Sequence, residues 1–395
     1  MLDHRNNILR DPKKIFMKNI VLLGATGSIG TQVLDVIREN PDRFHIVGMA
    51  AHSNVELFNK LVQEFEPDRI CLTDESKINE LKIERYPLSK KFPELLPGEE
   101  GISEMLRDPN VEIVVNAISG TDGIIHTMTA IQNRKTVLIA NKESLVSAGE
   151  MILQAAMKHQ SLVIPIDSEI TSIIQCLEGK SEKDVEKIIL TCSGGPFHGK
   201  SKKELMKVTR EQALNHPIWK MGQKITVDSA TLMNKGFELI VASTFFKIPA
   251  HQIEVIVHPE SIIHAMVQWK DGNISALMSP PDMRFAIQYA LFFPEREETK
   301  FERLDLAKLG KLTFQKPDED VFESLALARG AAQIQGNMPA ILNHANDTAV
   351  EKFLKNEIAF HEISPYIRQH VKTHDFNPDP NIEEIIELHR HVNEK

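Results

Sequence analysis

Apolar residues in the first 160 positions occur in blocks of two kinds, and each kind predicts a different element. Short runs rich in β-branched residues, such as NIVLLG, are typical of buried parallel strands. Longer stretches, such as SIGTQVLDVIREN, have apolar residues spaced as on one face of a helix. Further strands are predicted in RFHIVGMAA, RICLT, VEIVVNAI and TVLIAN, and further helices in NVELFNKLVQEFE, GIIHTMTAIQN and SAGEMILQAAMKH. Because strands alternate with helices, we expect an α/β fold with a doubly wound, Rossmann-like parallel sheet.

A glycine-rich turn, GATGSIG, joins the first predicted strand to the first predicted helix. Gly24 permits a tight turn, and Gly27 lets backbone amides approach a pyrophosphate at the helix N-terminus. Gly30 lets the helix and the strand pack closely. A glycine pattern alone is a weak signal, but its place between a strand and a helix favours dinucleotide binding over a plain tight turn.

The residues after the second predicted strand indicate which dinucleotide binds. Sites that prefer NAD usually carry an acid about 20 residues beyond the glycine turn, where it holds the ribose hydroxyls. Here the strand ends near residue 51 and AHSNV follows, without an acid. A 2′-phosphate would be accepted by His52, Ser53 and Asn54, so the sequence favours NADPH. Ser53 or Asn54 can also act as an ordinary helix cap, which is compatible with the same role.

Two carboxylates stand one residue apart in IPIDSEITSIIQ, between a strand-like run and a helix-like run. Asp167 can cap the helix, with Glu169 in its first turn near the positive end of the helix dipole. Alternatively, residues i and i+2 of an extended segment point to the same side, so both carboxylates can grip one hard cation. Taken alone, this stretch favours the cap.

The segment VDSATLMNKGFELIVASTFF predicts one helix, capped near Asp228 or Ser229. Asn234 and Glu238 share a face of this helix, and Lys235 follows Asn234. Charged residues on a helix usually mark a solvated face, but almost every other position here is apolar or small. We therefore expect a buried helix, whose charges need partners or a metal.

Glu238 can complete a three-carboxylate site with Asp167 and Glu169. No histidine or cysteine cluster accompanies these acids in the sequence. Because oxygen ligands suit Mg²⁺ or Mn²⁺ better than Zn²⁺, the expected metal is a hard divalent cation.

Two more segments have both a functional and a structural interpretation. Ser193 precedes two glycines in SGGPF, a pattern that suits an anion and a simple turn about equally. The segment NHPIWKMGQK lacks periodicity and is expected to be a loop. In that loop, Trp219 either closes over a ligand as a lid or anchors the loop in the core.

Length and composition set broader limits. A chain of 395 residues is expected to form two or three domains. Its 42% hydrophobic and 26% charged residues are typical of a globular protein, and its net charge of −9 argues against a general nucleic-acid surface. Three cysteines without paired or zinc-like spacing indicate a reduced, cytoplasmic protein. No apolar run is long enough to span a membrane, so no membrane partner is expected.

Several long motifs occur together, in the order GATGSIG, IANKESLV, DSE, SGGPF, HPIWKMG, VDSATLMNKGFE, HPESIIHAMV and PPDMR. In these motifs the chain closely resembles the 1-deoxy-D-xylulose 5-phosphate reductoisomerase family, from about Lys18 to the C-terminal helices. The resemblance implies an enzyme that uses NADPH and one divalent metal, Mg²⁺ or Mn²⁺ with Co²⁺ as an alternative. It implies isomerisation of 1-deoxy-D-xylulose 5-phosphate and reduction to 2-C-methyl-D-erythritol 4-phosphate, for isoprenoid precursors. A cytoplasmic homodimer with a small phosphorylated sugar as its substrate is expected.

The same resemblance implies a role for individual residues. Metal ligands are expected at Asp167, Glu169 and Glu238, and catalytic roles at Lys142, Glu169 and Lys235. Substrate contacts are expected at Lys142, Ser168, Glu169, Ser193, His216, Trp219, Ser229, Asn234, Lys235 and Glu238. Within this set Ser193, Ser229, Asn234 and Lys235 form the phosphate clamp, and His216, Trp219 and Met221 belong to a mobile flap. The resemblance places cofactor contacts at Thr26, Gly27, Ser28, Ile29, Ser53, Asn54 and Asn141. Further cofactor contacts are expected at His52, Glu143 and Gly222.

Three positions depart from what is usual in the family. The residue after DSE is commonly histidine but is Ile170 here, so a polar role there is lost or moved. His52 replaces a usual glycine, which either adds a cation for the 2′-phosphate or only changes the loop. Cys192 replaces a usual small residue beside Ser193. None of these changes removes a metal ligand or the lysine of the phosphate clamp.

The domain organisation expected from these motifs has five parts. An extension at 1–17 precedes an NADPH-binding domain at 18–165 and a catalytic and dimerisation domain at 166–295, with its flap at 215–224. A linker at 296–321 leads to a C-terminal helical domain at 322–395, predicted from VFESLALARGAAQIQG and AILNHANDTAVEKFLKNE. The strands in VIVHPESIIHAMVQW and GNISALMS are expected to form an interface sheet.

Two other classes of protein share some of these features. A semialdehyde or homoserine dehydrogenase would have the glycine turn and two lobes, but would not need three carboxylates on one cation. A non-catalytic NADPH sensor would keep residues 18–60, but would have no reason to keep a buried lysine at Lys235.

Overall fold

A computed structural model of the protein describes residues 17–390. Apart from Met17, the extension expected at residues 1–17 lies outside this range. The strands are β1 (Lys18–Leu23), β2 (Phe44–Ala51), β3 (Arg69–Leu72), β4 (Glu94–Leu95), β5 (Ile113–Asn116), β6 (Thr136–Ile139), β7 (Val163–Pro165), β8 (Val185–Cys192), β9 (Ile253–Val257), β10 (Ile263–Trp269) and β11 (Ile274–Met278).

The helices alternate with the strands in the first half of the chain and dominate its end. They are α1 (Ser28–Glu39), α2 (Val55–Phe65), α3 (Gly98–Arg107), α4 (Gly123–Gln132), α5 (Lys142–His159), α6 (Ser168–Leu177), α7 (Lys202–Leu205), α8 (Arg210–Ala213), α9 (Gln223–Ala230), α10 (Met233–Phe246), α11 (Met283–Phe292), α12 (Leu306–Leu309), α13 (Glu323–Ile334), α14 (Met338–Leu354), α15 (Ile363–Thr373) and α16 (Ile382–Arg390). Short 3-10 helices lie at Glu75–Glu80, Glu182–Asp184, Ala250–Gln252 and Phe360–Glu362. Among the described residues, no helix is both long and apolar enough to cross a membrane.

The first seven strands form one sheet in the order β4-β3-β2-β1-β5-β6-β7, and all neighbouring pairs are parallel. The strand order reverses at β1, and ligands of such sheets bind beyond the carboxyl ends of the strands at this point. The glycine turn lies here. Gly24 has a φ of +78°, and a Cβ atom on it would lie 2.4 Å from Ala117 O, so the position requires glycine. The predicted Rossmann-like sheet is confirmed.

The chain divides into two compact units, and the first contains a segment that the sequence placed elsewhere. This unit comprises residues up to Asn141, Gln154–Ile166 and Met283–Lys300, whereas we expected residues 283–295 in the catalytic domain. The returning segment carries α11, which packs on α1. The ring of Phe292 lies 5.0 Å from that of Phe44, and Lys18 Nζ donates to Leu291 O at 3.3 Å. These contacts join residues that are far apart in sequence, so no local sequence pattern predicts them.

The second unit comprises Lys142–Leu153, Asp167–Asp282 and the chain from Phe301 onward. Its sheet has the order β11-β10-β8-β9, with β8 and β9 parallel and the other pairs antiparallel. Parallel neighbours need a crossover connection, and here residues 193–252 form it. This crossover carries α7 to α10, while α6 packs against β10 and β11.

The single helix predicted from VDSATLMNKGFELIVASTFF is wrong, because α9 and α10 divide that segment. Leu232 adopts a left-handed φ of +63° between them, and Thr231 Oγ1 accepts from Met233 N at 3.3 Å. Asp228 and Ser229 therefore lie in the last turn of α9 and not at the start of a helix. No glycine, proline or asparagine marks the break, so only tertiary packing explains it.

The predicted C-terminal helical segments correspond to α13 and α14, and α15 and α16 follow them. The expected linker is not featureless, because it contains α12 and a bridge between Gln315 and Val257. In this part of the chain, the ring of His344 on α14 lies 6.1 Å from that of His374, which follows α15, and 5.6 Å from that of His389 on α16. Burial lowers the pKa of His344 to about 4 and that of His389 to about 3, so both rings are neutral at pH 7.

This histidine cluster predicts a loss of stability in mild acid. The folded state holds His389 neutral, but the unfolded chain takes up a proton below about pH 6.5, the ordinary pKa of histidine. Protonation therefore favours unfolding, and the free energy of unfolding should fall by roughly 2 kcal/mol at pH 5 from this residue. Denaturant titrations at pH 7 and pH 5 measure the change. A His389→Gln variant should lose less stability than wild type between these pH values, and an equal loss would contradict the assignment.

Candidate active site

Asp167 is the N-cap of α6 and also faces a lysine. Its Oδ1 accepts hydrogen bonds from the backbone N–H groups of Glu169 and Ile170, at 3.1 and 3.0 Å. Its Oδ2 lies 2.8 Å from Lys142 Nζ. The two interpretations of this acid are therefore compatible, since one oxygen caps the helix and the other remains available to a cation.

Three carboxylates converge in the second unit. Asp167, Glu169 and Glu238 each offer an oxygen, and these oxygens lie within 4.8 Å of one another. Glu238 is 1% exposed, because α10 is apolar on nearly every side. All the donors are carboxylate oxygens, which fit Mg²⁺ or Mn²⁺. The structure thus brings together the three residues that were expected to hold a metal.

Two lysines bind to these carboxylates. Lys142 Nζ contacts Glu238 Oε1 at 2.7 Å and Asn234 Oδ1 at 3.0 Å, in addition to Asp167. Lys235 Nζ contacts Glu169 Oε1 at 2.7 Å and also the second oxygen of Glu238. Lys235 was expected in the phosphate clamp, and in the structure its ammonium group pairs with these two carboxylates.

Burial and ion pairing set the charges in this cluster. Burial opposes charge on Glu169, but the ammonium groups of Lys235 and Lys142 outweigh it and lower its pKa. Burial and the neighbouring charge of Glu169 raise the pKa of Glu238. Burial disfavours the charged lysines, yet the carboxylates outweigh this effect and raise the pKa of both. The lysines are thus the internal counter-ions of a group of acids that would otherwise repel one another.

Polar side chains complete the surroundings of the carboxylates. Asn234 Nδ2 donates to Glu238 Oε1 at 2.7 Å, one turn along α10. Ser168 Oγ donates to the second oxygen of its neighbour Glu169. Both residues were expected to contact substrate, and both already orient a candidate metal ligand.

The SGG segment is a tight loop at the end of β8. Gly194 and Gly195 have φ values of +85° and +68°. A Cβ atom on Gly195 would lie 2.7 Å from Ser229 O, so glycine allows the loop to rest on the end of α9. Ser193 Oγ accepts from Gly195 N at 3.1 Å. The loop therefore brings Ser193 and the backbone of Ser229 to the same place, although they are distant in sequence.

The expected flap meets this loop through His216. The ring Nδ1 accepts from Ile218 N and Trp219 N at 3.1 and 2.9 Å, so its proton sits on Nε2. Nε2 then donates to Ser193 Oγ at 3.0 Å. Burial lowers the pKa of His216 to about 4, which keeps the ring neutral. Residues 215–222 form a loop as predicted, but the last two residues of the expected flap, 223 and 224, begin α9.

His264 is a site residue that the sequence did not reveal. It lies buried on β10, with its ring 6.5 Å from that of Trp219 and its Nε2 2.8 Å from Ser279 Oγ. Burial lowers its pKa, while the carboxylate of Glu169 acts in the opposite direction. The only signal in the sequence is a second histidine in HPESIIHAMV, and a lone histidine on a strand is more often a core residue.

Lys224 anchors the helix that follows the flap. Its Nζ contacts Glu143 at 3.2 Å, Asp228 at 3.0 Å and Asp347 at 3.0 Å. Glu143 belongs to the first turn of α5 and was expected to contact the cofactor. Gly222, another expected cofactor residue, is the N-cap of α9, two residues before Lys224. This network was also invisible in the sequence, because its members are far apart.

The other expected cofactor residues lie in the first unit, at the carboxyl edge of the sheet. Thr26 and Gly27 precede α1, and Ser28 and Ile29 open it; within the described residues, no side chain caps this helix. Its first N–H groups therefore suit a phosphate. Asn141 Nδ2 donates to the carbonyls of Ile118 and Gly120, which fixes the loop after β5.

The loop after β2 contains the remaining three expected cofactor residues. His52 Nδ1 lies 2.8 Å from Thr73 Oγ1, and Asn54 Oδ1 accepts from Leu57 N at 3.3 Å as the cap of α2. Ser53 is half-buried between them. The helix-cap interpretation thus applies to Asn54 and not to Ser53.

The structure shows the surroundings of two residues that depart from the family pattern. Ile170 is buried and packs in the core, so it brings no polar group to the site. Cys192 is held beside Ser193, and burial raises the pKa of its thiol to about 11, so it stays protonated.

Models of one protein family match most of the chain. The model for 1-deoxy-D-xylulose 5-phosphate reductoisomerase matches residues 20–149, and that for the C-terminal domain of this enzyme matches residues 163–246. A further model, of the DXP reductoisomerase C-terminal domain, matches residues 278–395.

Full-length relatives agree with these models. The 1-deoxy-D-xylulose 5-phosphate reductoisomerase of Thermoanaerobacter pseudethanolicus is 46% identical over 380 residues, covering 96% of this chain and 98% of that protein. The enzyme of the same name from Bacillus cereus strain Q1 is 45% identical over 375 residues, covering 94% and 97%.

Solved structures of such enzymes share the fold. The reductoisomerase from Zymomonas mobilis in complex with NADPH matches with a TM-score of 0.88 and 37% identity, covering 95% of this chain and 97% of that one. A reductoisomerase in complex with NADPH, fosmidomycin and magnesium matches with a TM-score of 0.87 and 36% identity, covering 96% and 97%. This chain therefore belongs to the 1-deoxy-D-xylulose 5-phosphate reductoisomerase family.

Proposed function

We propose that this protein converts 1-deoxy-D-xylulose 5-phosphate into 2-C-methyl-D-erythritol 4-phosphate, by isomerisation to a branched aldehyde followed by reduction. The observation that carries the proposal is the buried cluster of Asp167, Glu169 and Glu238, balanced by Lys142 and Lys235. A dehydrogenase without a metal would have no use for three converging acids. The related structures with NADPH and magnesium support the same cofactors for this chain.

The three carboxylates are the proposed metal ligands. A bound Mg²⁺ or Mn²⁺ supplies a Lewis acid beside the substrate oxygens, with Co²⁺ as an alternative. Asp167 is fixed by its cap bonds, Glu169 by Ser168, and Glu238 by Asn234, so the ligands are oriented before a cation arrives.

Lysines and hydroxyl groups are the proposed substrate contacts. Lys235, Asn234, Ser193 and Ser229 hold the substrate phosphate, which fixes the reacting end of the sugar by remote binding energy. We infer that Lys235 turns from Glu169 and Glu238 to the phosphate when these carboxylates take up a cation. Lys142 and Ser168 contact the sugar hydroxyls.

The flap has the role of excluding water. His216 already reaches Ser193 Oγ, and Trp219 and Met221 follow it in the loop. Closure of this loop over the substrate removes competing solvent from the site.

The cofactor supplies the hydride for the reduction, and ten residues are proposed to hold it. They are Thr26, Gly27, Ser28, Ile29, His52, Ser53, Asn54, Asn141, Glu143 and Gly222. The free N–H groups at the start of α1 fit a pyrophosphate, and the loop of His52 to Asn54 fits a 2′-phosphate.

A Ser53→Asp variant should reverse part of the preference for NADPH. The new carboxylate would face the 2′-phosphate of NADPH but only the ribose hydroxyl of NADH. We expect kcat/KM for NADPH to fall by about tenfold or more, with a smaller change for NADH. Steady-state kinetics with both cofactors measure this, and Ser53→Asn is the uncharged control. Equal losses with both cofactors would contradict the assignment of this loop.

We also propose a homodimer in the cytoplasm. The edge strand β11, on which the side chain of Ile274 is exposed, offers a surface for a second copy. The free cysteines Cys71, Cys176 and Cys192 suit a reducing compartment. Sedimentation equilibrium measures the oligomeric state.

The activity itself is tested by following NADPH absorbance. Oxidation of NADPH should require both 1-deoxy-D-xylulose 5-phosphate and Mg²⁺ or Mn²⁺, and a chelator should abolish it. Turnover of a semialdehyde without added metal would instead support an ordinary dehydrogenase. NADPH binding without turnover of either substrate would support a sensor.

A further inference from the structure

A lysine from a neighbouring loop reaches the proposed 2′-phosphate site. Lys77 lies in the 3-10 helix Glu75–Glu80, after β3, and its Nζ donates to Ser53 O at 3.3 Å. The two loops lie side by side because β2 and β3 are parallel neighbours that end at the same edge. Thr73 N donates to Ala51 O at 3.0 Å and Asp74 N donates to His52 O at 3.2 Å, which fixes one loop against the other.

The loop after β2 does not itself contain a permanent positive charge. Ser53 and Asn54 are neutral, and Asn54 Oδ1 is occupied as the cap of α2. A ring nitrogen of His52 is engaged with Thr73 Oγ1. NADPH differs from NADH by a phosphate that carries negative charge, and sites for it generally provide a cation close to the end of this strand. Lys77 supplies such a charge at that place.

Asp74, the acidic residue of the neighbouring loop, directs its carboxylate to its own helix. Asp74 Oδ1 accepts from Ser76 N at 3.2 Å and from Ser76 Oγ at 2.5 Å, as the N-cap of the 3-10 helix. Those bonds, with smaller contributions from the charges of Lys77 and His52, lower the pKa of Asp74. The acid is thereby held at the start of its own helix, whereas the Lys77 ammonium extends to the Ser53 backbone.

We propose that Lys77 determines the preference for NADPH, by pairing its ammonium group with the cofactor's 2′-phosphate beside Ser53. The Lys77 side chain is half-buried, and its bond to Ser53 O holds Nζ at the loop before the cofactor arrives. A long side chain from the 3-10 helix after β3 therefore provides the charge that residues 52–54 lack. The proposal rests on the binding of NADPH to this chain, which belongs to the proposed function.

The test is a comparison of cofactor affinities in the full-length protein. For Lys77→Gln we expect the Kd of NADPH to rise about tenfold, since a half-buried ion pair to phosphate is lost. The Kd of 2′,5′-ADP should rise by a similar factor, while those of NADH and 5′-ADP should change by less than about twofold. Isothermal titration calorimetry gives all four constants without turnover. Lys77→Arg should keep most of the NADPH affinity, because its guanidinium also binds phosphate.

A matched control removes the same charge elsewhere in the first unit. Lys158 is exposed at the end of α5, which leads to β7 at the opposite edge of the sheet. Lys158→Gln should leave all four constants unchanged. Equal weakening of NADPH and NADH by Lys77→Gln would show that Lys77 only shapes the loop, and unchanged constants would likewise overturn the proposal. If wild type bound no NADPH, the proposed function itself would fail, which is a distinct result.

Discussion

Replacing Asp167 with asparagine should reduce metal-dependent kcat/KM by about a thousandfold while preserving the helix that this residue begins. A Lewis acid contributes several kcal/mol to such a reaction, and each 1.4 kcal/mol corresponds to about tenfold in rate. Asparagine is as good an N-cap as aspartate, so the bonds to Glu169 N and Ile170 N can persist. What is lost is the negative oxygen that faces Lys142. Steady-state kinetics over a Mg²⁺ titration measure the effect.

The alanine variant separates the two roles of Asp167. Asp167→Ala should lose the same activity and, in addition, about 1 kcal/mol of stability from the missing cap. Thermal unfolding of both variants should therefore show a lower Tm for alanine than for asparagine. NADPH affinity should remain close to wild type in both. Full activity of Asp167→Asn at low Mg²⁺ would remove this residue from the metal site.

Replacing Lys235 with methionine should weaken substrate binding by roughly tenfold to a hundredfold. Hydrogen bonds to a charged group contribute about 1.5–3 kcal/mol, which corresponds to roughly tenfold to a hundredfold in affinity. We expect a higher KM for the phosphorylated substrate and weaker inhibition by a phosphonate analogue of that substrate. The Kd of NADPH should not change.

The same variant should also change how the protein responds to metal. Without Lys235, Glu169 and Glu238 lose an internal counter-ion, and breaking a buried ion pair costs about 3–5 kcal/mol. The raised pKa of Glu238 reduces this cost, because that carboxyl can take up a proton. Mg²⁺ no longer competes with the ammonium group, so it should bind more tightly and raise Tm more than in wild type.

The two readouts of Lys235→Met distinguish a ligand from a structural lysine. Weaker substrate binding together with a larger Mg²⁺-induced rise in Tm fits a lysine that alternates between carboxylates and phosphate. A larger rise in Tm with unchanged KM and unchanged affinity for the phosphonate analogue would mean that Lys235 only balances charge. The phosphate clamp would then consist of Ser193, Ser229 and Asn234.

The parts of the fold that the sequence predicted are those determined by neighbouring residues. The turn at Gly24 and the helix that follows could be recognised because strand, glycines and helix are contiguous. The two acids at Asp167 and Glu169 could be recognised as a pair, but the sequence made the cap and the metal site alternatives. In the structure one oxygen of Asp167 caps the helix and the other faces Lys142, so the cap is compatible with the proposed metal site.

The parts that were missed depend on contacts between distant segments. The return of α11 to the first unit is stabilised by Phe44 and Phe292, which are separated by most of the chain. The break at Leu232 lacks a helix-breaking residue, so only the packing of α9 and α10 reveals it. His264, Lys77 and Lys224 resemble ordinary core or surface residues until their partners are known. The pairing of Lys142 and Lys235 with the carboxylates likewise depends on the folded cluster, so the spacing of these residues in the sequence does not predict it.

The crossover between β8 and β9 has a consequence for synthesis of the chain on the ribosome. Residues 193–252 connect two strands that pair side by side, so the two ends of this segment come together only when β9 pairs with β8. The SGG loop, the flap and α10 all lie within this segment. Until β9 has left the ribosome, none of them has a fixed end on its C-terminal side. A nascent chain that already contains every proposed catalytic residue should therefore still be inactive.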